Sequence, residues 1–191
     1  MRIFVVDNGG QWTHREWRVL KYLGADTKIV PNDTPAAQLE GLDGLVLSGG
    51  APRVGVDPAK MGRNGEYLDA LDIPILGICA GHQFMAKHFG GEAAPAKVPE
   101  FGKSILTVHE PDVLFDGLPS AFEVWESHND EVSVLPHGFV ALASSPNCAV
   151  QAMRARERPL FGLQFHPEVE DTQHGTDIFR NFLKTCENGT A

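Results

Sequence analysis

Two segments of the chain carry residues whose types and spacing suit nucleophilic chemistry. The first is Pro74-Ile75-Leu76-Gly77-Ile78-Cys79-Ala80-Gly81-His82-Gln83. It reads as a short apolar strand, a Gly-x-Cys-x-Gly turn and the opening of a helix. That is the nucleophile-elbow pattern, with Cys where many hydrolases carry Ser. A sharp strand-to-helix turn forces its central residue into strained φ/ψ, and flanking glycines relieve crowding from neighbouring elements. The positive end of the helix favours a thiolate. The backbone N–H of Ala80 is placed to donate to an oxyanion. A free cysteine taken alone is as readily a small buried hydrophobe; the glycine framing makes Cys79 a candidate nucleophile. Cys79-x-x-His82 also has metal-ligand residue types, but no second Cys/His pair stands at finger-like spacing.

The second segment is Phe165-His166-Pro167-Glu168. A cysteine nucleophile needs a base, and the base needs a group to orient it. His166 and Glu168 are two apart in what reads as extended chain, so their side chains project the same way. Glu168 is then able to hold one imidazole nitrogen while the other faces a thiol. A lone histidine at a strand end is more often a solvated or core residue, and only the pairing with the Cys79 turn makes His166 a candidate. Ser48-Gly49-Gly50-Ala51-Pro52 follows another apolar run, and tandem glycine lets backbone approach a ligand closely. The dense polar cluster Trp125-Glu126-Ser127-His128-Asn129-Asp130-Glu131-Val132 suits a zwitterionic substrate or a partner surface, or else is a capped loop. Asp7-Asn8-Gly9-Gly10-Gln11 follows a strand end, as a turn and helix cap would. Cys148 and Cys186 have no comparable context and read as inert.

These groups need elements to position them. Apolar runs at 3–6, 27–30, 44–48 and 75–78 read as strands, with helical patterns at about 13–23 and 81–89. In the first helix Trp17, Leu20 and Leu23 are spaced by three, and Gly24 stops it. In the second, Phe84, Met85, His88 and Phe89 are expected to share a face. Continuous apolar strands alternating with helices imply a parallel sheet buried on both sides. The carboxyl ends of such strands are where sites form, and Gly49, Gly50 and Cys79 all fall there. The second half changes character. Short β-like pieces occur at about 104–108, 124–126, 140–144, 150–153 and 160–165. A final helix over 176–186 has Ile178, Phe179, Phe182, Leu183 and Cys186 as its stripe. The expectation is an α/β fold: a single domain over 1–191, with a flavodoxin-like, mostly parallel central sheet flanked by helices and additional antiparallel strands in the C-terminal half. The stretch 51–65, rich in Gly and Pro, reads as a loop beside the site.

Composition sets limits. The 191 residues are 42% apolar and 21% charged, as in an ordinary globular chain. No apolar run approaches the length a bilayer-spanning helix needs, and the N-terminal apolar run is too short for a signal sequence. The net charge of −9, without a Lys/Arg run, disfavours nucleic acid as a partner. Three widely spaced cysteines suit free thiols in a reducing, cytoplasmic setting.

Assembled, these segments resemble the class I, triad-type glutamine amidotransferases over essentially the whole chain. Gly77-Ile78-Cys79-Ala80-Gly81-His82-Gln83 resembles the family's nucleophile motif, Phe165-His166-Pro167-Glu168 its His/Glu motif, and Leu47-Ser48-Gly49-Gly50 its oxyanion loop. Ala80 stands where the family usually has Leu, and Gly49-Gly50-Ala51-Pro52 where it usually has Gly-Gly-Pro. The resemblance implies Cys79, His166 and Glu168 as catalytic residues and backbone donors at Gly50 and Ala80. It also implies a grip on the substrate's amino and carboxylate groups by Gln83, Ser127, Asn129 and Asp130. Within the family, 6–11 and 125–132 resemble the branch that serves GMP synthesis. The absence of a pyrophosphatase loop points to the archaeal-type arrangement in which the amidotransferase is a separate chain. That implies no metal or cofactor here, and a synthetase partner carrying an ATP-pyrophosphatase domain that uses ATP and Mg²⁺ to convert XMP to GMP. Amidotransferases serving anthranilate, aminodeoxychorismate or carbamoyl phosphate synthesis, and a silent regulatory module of the same fold, are the alternatives.

Overall fold

The computed structural model describes residues 1–111 and 113–188. The first half lays down β1 (Ile3–Asn8), α1 (Thr13–Tyr22), β2 (Ile29–Pro31), β3 (Gly44–Gly50), α2 (Asn64–Ala70), β4 (Ile75–Ile78) and α3 (Ala80–His88). The second half adds β5 (Glu92–Val108), β6 (Ala121–Val134), β7 (Phe139–Ser144), β8 (Ala152–Ala155), β9 (Leu160–Leu163) and α4 (Gly175–Asn188). Among the described residues these strands form one sheet in the order β2-β1-β3-β4-β9-β8-β7-β5-β6. The first five in that order are parallel, with Val5 opposite Ile29 and Val46, Val46 opposite Leu76, and Leu76 opposite Phe161. The remaining pairings are antiparallel. The sheet is therefore the expected parallel core, five strands wide, with an antiparallel extension of four more.

The parallel strands are apolar on both faces because both are covered. Ile3 and Val5 of β1 pack with Phe179 and Phe182 of α4 on one side, while Phe4 and Val6 pack with Leu68 of α2 and Met85 of α3 on the other. This is the alternation that a strand's two-residue period imposes when neither face meets water. The final helix presents the expected stripe: Ile178, Phe179, Phe182, Leu183 and Cys186 are all buried.

Several expectations are corrected. The cluster 125–132 is no loop after a short strand. It lies inside β6, whose inward positions are Phe122, Val124, Glu126, His128, Asp130 and Val132. The pieces at 104–108 and 124–126 are fragments of the 17- and 14-residue strands β5 and β6. Stretch 51–65 contains a short 3₁₀ turn, Pro58–Met61, and the start of α2, a helix the sequence pattern does not announce. Of the expected face of α3, Met85 is buried, beside Gly81, His82, Gln83 and Ala86, while Phe84, His88 and Phe89 are only half-buried. β9 comes from the far end of the chain yet lies beside β4, and this matters most for the site. It puts the carboxyl ends of β1, β3, β4 and β9 side by side.

Candidate active site

Cys79 occupies the N-cap of α3 with φ 49° and ψ −104°, a conformation that side chains rarely adopt. Neighbouring backbone holds it there: the Cys79 N–H donates to the Leu163 carbonyl at 2.7 Å, and its own carbonyl accepts from Gln83 N–H at 2.9 Å. The flanking glycines have no room for a side chain. A Cβ on Gly77 would lie 2.7 Å from the Gly81 backbone, and one on Gly81 would lie 2.3 Å from the Leu47 carbonyl oxygen. The thiol reaches the Ser127 carbonyl oxygen at 3.9 Å and lines the same cavity as His166.

His166 follows β9 and is fixed through its backbone, its N–H donating to the Trp125 carbonyl at 3.0 Å. Its Nδ1 lies 2.6 Å from Glu168 Oε1, and the Trp12 ring meets the imidazole edge-on at 4.5 Å between centroids. Burial opposes charging this imidazole, but the Glu168 carboxylate and the Cys79 thiolate outweigh it, and its pKa stands well above the usual histidine value. With Nδ1 committed to Glu168, Nε2 is left for the thiol. Gly49 closes the other side: a Cβ there would sit 3.1 Å from His166 Cε1 and 3.6 Å from Cys79 Cβ. Ala80, first residue of α3, has an N–H without an intrahelical partner.

Two cavities meet at Cys79. One, of about 160 Å³, is lined by Gly50, Arg53, Ala80, Gln83, Ser127, Asn129 and Asp130. The other, of about 240 Å³, lies past His166 and is lined by Trp12, Glu16, Gly49 and Glu168 among others. Every residue expected from the resemblance thus borders one or both, though not all with a free side chain. Asp130 is already engaged by Arg53 in a two-pronged pair at 2.7 and 3.1 Å. Gln83 spends its amide hydrogens inside the protein, on the Asp130 carbonyl at 2.7 Å and Gln164 Oε1 at 3.0 Å. Its place is thus beneath the cavity, holding Asp130, and not in it with a free amide. Asn129 is exposed at the cavity rim.

Behind Ser127 lies a buried ion group. His128 Nδ1 faces the Asp130 carbonyl at 3.1 Å, and Nε2 stands between Glu100 Oε2 at 3.2 Å and Glu126 Oε2 at 3.3 Å. All these partners accept, so both ring nitrogens carry protons. Burial alone would lower the His128 pKa; the two carboxylates push it up to about 10. Among the described residues these three form the one group with metal-ligand atom types within 4.8 Å. Ser104, Ser145 and Gln151 already donate to Glu100, whereas Glu126 has only His128 beside it and burial raises its pKa. His82 is elsewhere: fully buried, bonded to the Val150 carbonyl through Nε2, and kept neutral by burial with a pKa of about 3. Cys148 and Cys186 are buried, and burial pushes both thiols up, Cys186 to about 12.

Sequence reasoning alone missed Trp12, Glu16, Arg53 and Glu100. Arg53 sits in a Gly/Pro-rich stretch with no periodicity to place it. Glu16 carries a misleading signal, because Thr13-His14-Arg15-Glu16 matches a capping box. In the structure the cap position is Trp12, with no side-chain cap bond, and Thr13 Oγ1 bonds to Asp7 and Gly10 instead. The usable signal is phase: Glu16 is one turn before Leu20, on the buried line of α1.

A parallel sheet that presents a cysteine elbow, a His/Glu pair and a glycine loop at adjacent strand ends defines a class of thiol-dependent amide-cleaving enzymes. The chain belongs to the family "Glutamine amidotransferase class-I", whose model matches residues 4–186. It is 57% identical over 186 residues to a subunit of the glutamine-hydrolyzing GMP synthase of Thermoplasma acidophilum, covering 97% of this chain and 93% of that one. A crystal structure from the same organism matches with a TM-score of 0.94 at 56% identity, over 98% of this chain and 94% of the other. A glutamine amidotransferase structure from Thermotoga maritima shares the fold, with a TM-score of 0.76 at 19% identity over 98% and 83% of the two chains.

Proposed function

We propose that this chain is the glutamine-hydrolysing subunit of a two-subunit GMP synthase. The observation that carries the reading is the line from Glu168 through His166 to Cys79, set at the N-terminus of α3. The Cys79 thiolate attacks the side-chain amide carbon of L-glutamine. Backbone N–H groups at Gly50 and Ala80 hold the oxyanion. As the C–N bond breaks, His166 gives its Nε2 proton to the departing nitrogen, which leaves as ammonia. The resulting γ-glutamyl thioester is then cleaved by water, which His166 deprotonates, releasing glutamate and restoring the thiolate. Glu168 orients the imidazole and balances its charge.

The smaller cavity supports an amino-acid substrate. Arg53 and Asp130 present a cation and an anion side by side, complementary to an α-carboxylate and an α-ammonium group, with Ser127 and Asn129 beside them. Ammonia passes to a synthetase partner, which uses ATP and Mg²⁺ to make GMP from XMP; this chain contributes no metal or cofactor of its own. The setting is the cytoplasm. Among the described residues no helix is long and apolar enough to cross a membrane.

The test is glutamate release by the purified chain and by its Cys→Ala variants, mixed with a synthetase partner, ATP, Mg²⁺ and XMP. Cys79→Ala is expected to lose glutamine-dependent GMP formation while free ammonia still supports it. Cys148→Ala and Cys186→Ala are expected to remain active. Glutamate release by Cys79→Ala at the wild-type rate would overturn the reading.

A further inference from the structure

The mechanism leaves one buried acid of the site unused. Glu16, on the inward line of α1, is 1% exposed and borders the cavity beyond His166. Its Oε1 accepts the Gly49 N–H at 3.3 Å, and its Oε2 is buried with no partner. Gly49 faces both reacting groups so closely that a Cβ there would lie 3.1 Å from His166 Cε1 and 3.6 Å from Cys79 Cβ. Its carbonyl is held as well, by Ser48 Oγ at 2.7 Å. The two polar groups of Gly49 are thus clamped by side chains on either hand, and the next N–H along the chain is that of Gly50.

We propose that Glu16 is a positioning residue for the thiol chemistry, a neutral carboxylic acid that fixes the carboxyl end of β3 through the Gly49 amide. The proposal rests on the glutaminase reading. A neutral acid fits the surroundings. The charged groups acting on Glu16 are Glu168 and His166 from the segment after β9 and Cys79 from the start of α3. Two of these are anions when the site is active, and the single cation already serves both. A third negative charge would be buried without a counter-ion, at high cost. Burial first, then the Glu168 charge, raise the Glu16 pKa well above the usual carboxylate value. As a neutral acid it accepts from Gly49 with Oε1. Its effect on catalysis is through Gly49 alone, so it needs no contact with substrate. A strand end displaced by about 1 Å is enough to cost on the order of 100-fold in rate.

Three variants test this. Glu16→Leu removes the acceptor but fills the space, and replacing a buried acid by an apolar residue of similar size is commonly neutral or stabilising. It is expected to lower kcat for glutamine about 10- to 100-fold, with KM little changed and an undiminished melting temperature. Glu16→Asp keeps the acid but withdraws the acceptor, and is expected to fall between Glu16→Leu and wild type. Glu16→Gln keeps a neutral acceptor and donor; it is expected to restore kcat, with a kcat/KM profile between pH 6 and 8 that overlays the wild type. Alkylation of Cys79 by iodoacetamide needs the thiolate–imidazolium pair but no oxyanion donor, and is expected to proceed at the wild-type rate in all three. Wild-type kcat in Glu16→Leu would overturn the proposal. So would equal losses in Glu16→Leu and Glu16→Gln, or a wild-type pH limb between 6 and 8 that Glu16→Gln lacks. A wild type that is alkylated at Cys79 yet hydrolyses no glutamine overturns the glutaminase reading instead, and the two failures are thereby told apart.

Discussion

The imidazole of His166 is held on every side that matters to proton transfer. Glu168 fixes Nδ1, Trp12 packs against the ring, a Cβ on Gly49 would crowd Cε1, and Nε2 is left for the thiol. Such a unit acts together, so its losses are not multiplicative. His166→Ala is expected to reduce glutamine hydrolysis about as far as Cys79→Ala, by several orders of magnitude. Glu168→Ala costs less, because an orienting group is lost and no proton carrier. The double variant His166→Ala/Glu168→Ala should be little worse than His166→Ala alone. Steady-state rates for the full set check this, and a double variant equal to the product of the single losses would break the shared mechanism. At this scale the sequence is informative where chemistry is written into contiguous motifs. Cys79 with its glycines and His166 with Glu168 are legible. Glu16, Trp12 and Arg53 are not, since each acts through a neighbour supplied by a distant segment.

At the scale of elements, the clearest failure of sequence reasoning is β6. Its inward face runs Phe122, Val124, Glu126, His128, Asp130, Val132. The two-residue apolar rhythm that marks a half-buried strand is replaced by titratable groups along its middle, beside the site. Partners on other elements engage two of those groups: Glu100 of β5 holds His128, and Arg53 holds Asp130. This creates a pH dependence. The folded His128 value of about 10 lies above its unfolded value near 6.5. A raised value of this kind stabilises the fold fully below about pH 6.5 and progressively less as pH rises toward 10. The melting temperature is therefore expected to fall over that window, and a His128→Gln variant to show a flatter dependence there. His128→Ala, which leaves Glu100 and Glu126 facing each other unpaired, should cost about 3–5 kcal/mol in denaturant unfolding. A melting temperature that is flat from pH 6.5 to 10 in the wild type would count against the imidazolium.

At the scale of the whole molecule, the half of the sheet built from continuous apolar strands is legible in the sequence and the antiparallel half only in fragments. The long β5 is broken in register between Pro95 and Glu100, and that break erases a pattern a single chain would otherwise display. The neighbourhood of β9 and β4 is not readable at all, because it joins segments about 85 residues apart, and loop-closure energetics leave no local mark. That pairing is what sets Cys79 against His166, and it places the site at one edge of the molecule. A wide cleft of about 960 Å³ opens along that same edge, over the ends of β1 and β2, and Arg53, Val56 and Lys60 line it. Val56 is 74% exposed there, while Arg53 also reaches Asp130 in the substrate-sized cavity. A synthetase partner seated on the cleft would therefore touch the segment that carries Arg53 and, through it, the amino-acid cavity. The expected consequence is coupling. Ordering a binding segment into productive geometry lowers the barrier by several kcal/mol, with each 1.4 kcal/mol worth about a factor of 10. Glutamine hydrolysis by this chain alone should be slow, should rise with the synthetase partner, and should rise further, by about 10-fold or more, when ATP, Mg²⁺ and XMP are added. Arg53→Ala should weaken the response to the partner as well as raise KM for glutamine, whereas Lys184→Ala, on α4 and outside the cleft and both cavities, should do neither. An isolated chain already at its maximal rate, indifferent to every addition, would remove the case for coupling through this edge.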